Sequence, residues 1–104
     1  PNTAGMAGSS AVVEFCSTTP SAIGYSGMSY KNEHVGWLSI SADEDSEAFE
    51  PTIENVKSKN YPIARPLYIY TVGEPTGAVK AYLDWIKGEA GQAVVVEQGF
   101  VPYQ

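Results

Sequence analysis

An alternation of strand-like and helical patterns predicts an α/β fold. Three observations carry it. Strand-type runs at residues 22–26, 35–40 and 61–72 are interleaved with helical patterns that open near Ser9, Pro51, Thr76 and Glu89. Ten glycines and seven prolines cut the chain into short segments, with no long linker, repeat or low-complexity tract. The 104 residues allow one small domain, 43% hydrophobic and 17% charged. That charged share lies below the roughly 25% of an ordinary globular protein. It reads either as a surface rich in uncharged polar groups or as a surface that more protein covers.

The elements follow in chain order. Ser9 or Ser10 is placed to cap a first helix whose Val12, Val13, Phe15 and Cys16 form one apolar stripe, and Pro20 ends it. Residues 22–26 read as a short strand, where Gly24 and Gly27 let another backbone or helix come close. Residues 35–40 form a second strand pattern with His34 at its entrance. Residues 42–50 hold five of the twelve acids and read as an exposed loop. Pro51 at a first-turn position then opens a short helix, with Glu54 early and Lys57 late as the helix dipole favours.

Residues 61–72 carry the strongest strand pattern. Leu67, Ile69 and Thr71 alternate with Tyr68, Tyr70 and Val72, so both faces are apolar or aromatic, as in a strand covered on two sides. Pro62 and Pro66 keep its first half out of regular pairing. Thr76 and Gly77 open an amphipathic helix with Val79, Tyr82, Leu83 and Ile86 on one face and Lys80, Asp84 and Lys87 opposite. Gly88 breaks it. A last helix over residues 89–98 stops at Gly99, and the tail of Phe100, Val101, Pro102 and Tyr103 is too apolar to hang free.

Composition excludes several functions. A net charge of −6 without a Lys/Arg cluster argues against a nucleic-acid partner. No apolar run approaches the roughly 18 residues of a membrane span. The chain opens Pro1-Asn2-Thr3, which reads as a processed product or an excised piece. Its single cysteine, Cys16, and single histidine, His34, make neither an internal disulfide nor a metal site of usual spacing, and no cofactor is implied.

Chemistry is sparse. Residues 24–28 resemble a nucleophile elbow, but G-x-S-x-G needs glycine where Met28 stands, so a glycine-bearing strand end is the better reading. A hydrolase built on Ser26 and His34 is the remaining catalytic alternative. Gly8-Ser9-Ser10 before a helix can hold an anion, though ordinary capping gives the same sequence. Arg65, between Pro62 and Pro66, suits a structural ion pair. Tyr25, Tyr30, Tyr68 and Tyr70 suit either a sugar or peptide site or core edges with hydroxyls in water.

Three segments in order resemble one family. Residues 17–25, Ser17-Thr18-Thr19-Pro20-Ser21-Ala22-Ile23-Gly24-Tyr25, resemble its T-P-G-A-I-G-Y signature, with Ser21 in place of glycine. Tyr61-Pro62-Ile63-Ala64-Arg65-Pro66-Leu67-Tyr68 is similar to a Y-P-I-x-R-P-L-Y strand. Gly77 to Trp85, followed by Gly91-Gln92 and Gly99-Phe100-Val101-Pro102, is similar to closing helices of the form G-x-V-K-A-F-x-D-F, E-G-Q and G-Y-V-P. These are marks of the phosphate-binding proteins, the extracytoplasmic solute-binding subunits of phosphate ABC transporters.

The resemblance implies the C-terminal portion of a type II periplasmic-binding-protein fold, in which two α/β lobes close on ligand like a clamp. Residues 1–60 would then be part of the second lobe, 61–72 a strand crossing the hinge, and 73–104 helices packing on the first lobe. It implies inorganic phosphate and ABC membrane subunits as partners of the complete protein, in a periplasmic or extracellular, membrane-associated setting, and binding without catalysis. The family's phosphate ligands lie upstream of the matched region, so no catalytic, ligand-binding or metal residue is assigned here. A sensor or interaction module on the same fold is the alternative. Exposed apolar faces at Leu67/Ile69 and at Val79/Leu83/Ile86 are expected, and with them self-association or a partner chain.

Overall fold

The computed structural model describes residues 2–103. Helix α1 spans Ser9–Thr18, α2 Ile53–Lys57, α3 Gly77–Lys87 and α4 Glu89–Glu97, with a single 3₁₀ turn at Met28–Tyr30 between α1 and α2. The four helical patterns read from the sequence each fall on an α-helix, while the 3₁₀ turn carried no such pattern.

The start of α1 differs from expectation. Gly8, not a serine, is its N-cap, and no side chain caps the helix; Ser9 is already helical and its hydroxyl instead accepts from the Gly27 N–H at 3.4 Å. Val13 is the one buried large apolar side chain among the described residues, 7% exposed. Residues 22–26 run back along α1. An added β-carbon at Gly24 would lie 2.6 Å from Val12 Cγ1 and 3.1 Å from Cys16 Sγ, so the missing side chain sets how closely the chain lies on the helix. A turn makes this return possible: the Ala22 N–H bonds the Thr19 carbonyl at 2.9 Å. Ser21 has no positive φ, so the turn does not need glycine there.

In α2, Thr52 is the N-cap and its hydroxyl accepts from the Asn55 N–H at 3.1 Å, which places Pro51 one position outside the helix, where it is buried. The far end closes on Asn55 and Val56: Asn60 and Lys59 N–H groups bond their carbonyls at 2.9 and 3.1 Å, with Lys59 at φ +62°. This is the double bond pattern that glycine normally supports.

Helices α3 and α4 meet at a corner on Gly88. Gly91 is buried inside it: an added β-carbon would lie 2.6 Å from both the Cα and the carbonyl oxygen of Ile86 and nearer still to the carbonyl oxygen of Trp85. Gln92 then donates to the Ile86 carbonyl at 2.7 Å and accepts from the Tyr103 N–H. The tail is held as its composition predicts. Gly99, at φ +79°, ends α4 with bonds from its own N–H to Val96 and from Phe100 to Val95, at 2.9 and 3.0 Å. Lys87 lies 5.4 Å over the Tyr103 ring.

The strands are where sequence and structure part. Among the described residues no sheet forms; the single ladder contact is an antiparallel bridge between Ile40 and Phe49, with N–H···O bonds of 2.9 and 3.0 Å. That bridge closes the acidic segment into a hairpin-like loop, which charge alone did not indicate. Residues 22–26 and 64–71 run without turn or bend but pair with nothing. A strand pattern specifies an alternating backbone, and pairing needs a second strand at the right place.

The consequence is an open molecule. Its radius of gyration is 17.0 Å, against about 13 Å for a compact domain of 100 residues. It exposes 8566 Å², where a folded monomer of its mass exposes roughly 5,700 Å². Leu67, Ile69, Val79 and Tyr82 are all more than half exposed, while Leu83 and Ile86 are partly covered.

Candidate functional site

An open groove of about 270 Å³ lies beside α1. Ser10, Glu14 and Ser17, three to four residues apart, come from one face of the helix, with Val13 between them; Tyr30, Asn32 and His34 come from the 3₁₀ turn and the segment after it. Helical spacing supplies one wall and the chain's return supplies the other. Glu14 and Asn32 carried no sequence signal, because the two walls lie far apart along the chain.

The groove's polar groups are engaged locally. Ser17 Oγ donates to the Val13 carbonyl at 2.7 Å, and Asn32 Oδ1 accepts from the His34 N–H at 2.9 Å. The His34 ring faces Glu33 at 3.7 Å, with both side chains exposed. Ser26 is not in this groove and donates to the Gly27 carbonyl at 3.3 Å. Ser26 and His34 share no hydrogen bond, so the structure assembles no nucleophile and base from them.

At the α1 N-terminus, Gly8 accepts from the Val12 N–H at 3.1 Å and the first turn contains no acidic side chain. The end is compatible with an anion, but Ser9 is occupied with Gly27 rather than directed outward. Arg65 is exposed and forms no ion pair among the described residues, contrary to expectation. The tyrosines do not converge. Tyr68 and Tyr70 are neighbours, with ring centroids 6.3 Å apart, while Tyr25 and Tyr30 lie elsewhere and Tyr25 is 92% exposed.

In the acidic loop, the Ser46 hydroxyl and the Asp45 N–H donate to Asp43 Oδ1 at 2.6 and 3.1 Å and hold its carboxyl below the usual carboxylate value. No group of three or more His, Cys, Asp or Glu side chains among the described residues could hold a metal ion. No helix among the described residues is long and apolar enough to cross a membrane.

Known proteins supply what the geometry leaves open. A family model described as a PBP superfamily domain matches residues 1–89. The chain is 32% identical over 106 residues to the phosphate-binding protein PstS of Pseudomonas aeruginosa, covering 98% of this chain and 33% of that protein. It is 38% identical over 96 residues to the PstS of Bacillus subtilis, covering 90% and 30%, and 36% identical over 92 residues to that of Borreliella burgdorferi, covering 86% and 32%. The chain therefore spans about a third of the length of these curated relatives. No solved structure matches it. With the family model covering most of its length, this chain belongs to the PBP superfamily.

Proposed function

We propose that the chain is the C-terminal portion of an extracytoplasmic phosphate-binding component of an ABC importer, which binds inorganic phosphate by lobe closure and performs no catalysis. The observation that carries this reading is its 32% and 38% identity, over nearly all of its length, to proteins named phosphate-binding protein. In this reading residues 1–60 belong to one α/β lobe, residues 61–72 cross the hinge, and residues 73–104 pack on the other lobe of a two-lobe fold. The ABC membrane subunits are its transport partners, and its location is periplasmic or extracellular.

The open molecule supports the same reading. Residues 65–71 make no backbone hydrogen bond, as expected of a strand whose sheet lies outside the 104 residues. The groove beside α1 is open and its polar groups are engaged locally, which fits the reading that the phosphate ligands belong to other parts of the longer protein. The net charge of −6 does not oppose this, because such a cage works through local donors rather than a basic field.

Isothermal calorimetry with inorganic phosphate tests the proposal. A longer protein that carries these residues as its C-terminal portion is expected to bind one phosphate, and the 104 residues alone to bind none. Tight one-to-one binding by this chain alone overturns the placement of the ligands. Absence of binding by the longer protein overturns the function.

A further inference from the structure

Between Arg65 and Glu74 the chain carries no charge at all. Within that stretch Leu67, Tyr68, Ile69 and Tyr70 are 80%, 70%, 63% and 88% exposed. The backbone runs without turn or bend over residues 64–71, and no N–H or carbonyl of residues 65–71 is hydrogen bonded. Five consecutive β-formers with a free row of donors and acceptors are an uncovered strand edge.

We propose that, in the 104-residue chain, this edge is occupied by the same segment of a second copy, paired antiparallel about a two-fold axis at Ile69. Charge selects the direction. Arg65 and Glu74 close opposite ends of the neutral run, so antiparallel pairing sets the positive end of each copy beside the negative end of the other; a parallel pair sets like charges together.

Symmetry selects the register. A two-fold axis normal to a sheet keeps each side chain on its own face, so the residues that oppose one another have numbers of equal parity. Centred on Ile69, Tyr68 opposes Tyr70 of the second copy, Leu67 opposes Thr71, and Ile69 opposes itself. Tyr68 and Tyr70 already share one side, with rings 6.3 Å apart and inclined at 39°. Pairing therefore gathers four tyrosine rings on one face, and cross-strand aromatic pairs of this kind stabilise antiparallel ladders.

This pairing is independent of the phosphate reading: it concerns an edge that, in a longer two-lobe protein, belongs to the protein's own sheet. Sedimentation of the 104-residue chain over a concentration series is expected to show a monomer–dimer equilibrium. The register is tested in a Cys16→Ser background. An Ile69→Cys variant sets its thiols on directly opposed residues, with Cα atoms about 4.5–5.5 Å apart, within disulfide reach. Under mild oxidation it is expected to form covalent dimers about tenfold faster than Val79→Cys on α3, because pairing raises the local thiol concentration. Ile69→Lys, which sets like charges face to face at the axis, is expected to shift the equilibrium to monomer with unchanged helical circular dichroism. A monomer at every concentration, or equal cross-linking of Ile69→Cys and Val79→Cys, overturns the pairing and leaves the family membership and the phosphate reading standing.

Discussion

Replacing Gly91 by alanine separates two physical effects that predict opposite signs. Gly91 lies in the first turn of α4, where helix propensity alone favours alanine by at most about 1 kcal/mol. Space opposes it. The new methyl would lie 2.6 Å from Ile86 Cα and from its carbonyl oxygen, and these are backbone atoms that no rotamer change moves aside. Overpacking of this kind costs about 1–3 kcal/mol, and contact with backbone on two successive residues puts it at the upper end. The net expectation is a loss of about 2 kcal/mol, taken up by opening the α3–α4 corner. The corner holds the Gln92 bridge to Ile86 and to Tyr103, so opening it releases the tail as well. Urea titration followed by helical circular dichroism gives the stability change, and the Gln92 side-chain amide resonances report the bridge. Ala93→Gly, at an exposed position of the same helix, calibrates propensity alone. A Gly91→Ala protein as stable as the parent, with Gln92 resonances unmoved, refutes the reasoning.

Further outcomes follow from other positions. Lys59→Gly is expected to stabilise the chain by about 0.5–1 kcal/mol, because φ +62° suits glycine at the end of α2; an unchanged urea midpoint contradicts it. Gly24→Ala is expected to push Val12 and Cys16 apart and to raise the rate at which the Cys16 thiol reacts with a disulfide reagent; an equal rate shows that the chain does not rest on α1 as described. Ser46→Ala is expected to raise the Asp43 pKa toward the ordinary carboxylate value, measured by carbon NMR across acid pH. Since the folded value is lowered, the loop gains from Asp43 above the unfolded value, and that gain is lost as pH falls through the folded one.

Local chemistry made the helices legible. The Lys80 and Asp84 pair at 2.5 Å, Gly88 and Gly99 each act within one or two turns of their own position, whereas the Thr52 cap was missed because Pro51 drew the helix start to itself. Residues 61–72 carried the strongest strand pattern, yet no strand forms there among the described residues; only 64–71 run without turn or bend, and they stay unpaired, because a ladder depends on a partner remote in sequence. The groove beside α1 stayed hidden for the same reason: Glu14 and Asn32 meet only through the turn at Thr19 and Ala22. Gly91 shows the middle case. Its motif marked it as part of a family, and only the corner geometry shows that a side chain has no room there. Lys59 carried no signal, since nothing in a lysine announces a left-handed backbone.

The bare backbone of residues 65–71 also bears on how long the chain lasts. Proteases bind their substrates as stretched, unpaired segments, the form this stretch already has, with no local unfolding needed to reach it. Trypsin gains little from it, because Arg65 is followed by proline. Chymotrypsin-like enzymes meet Leu67, Tyr68 and Tyr70 largely exposed. Whatever comes to lie on this segment also decides the chain's lifetime, so a clipping pattern confined to these residues reads out, copy by copy, whether the segment has found its cover.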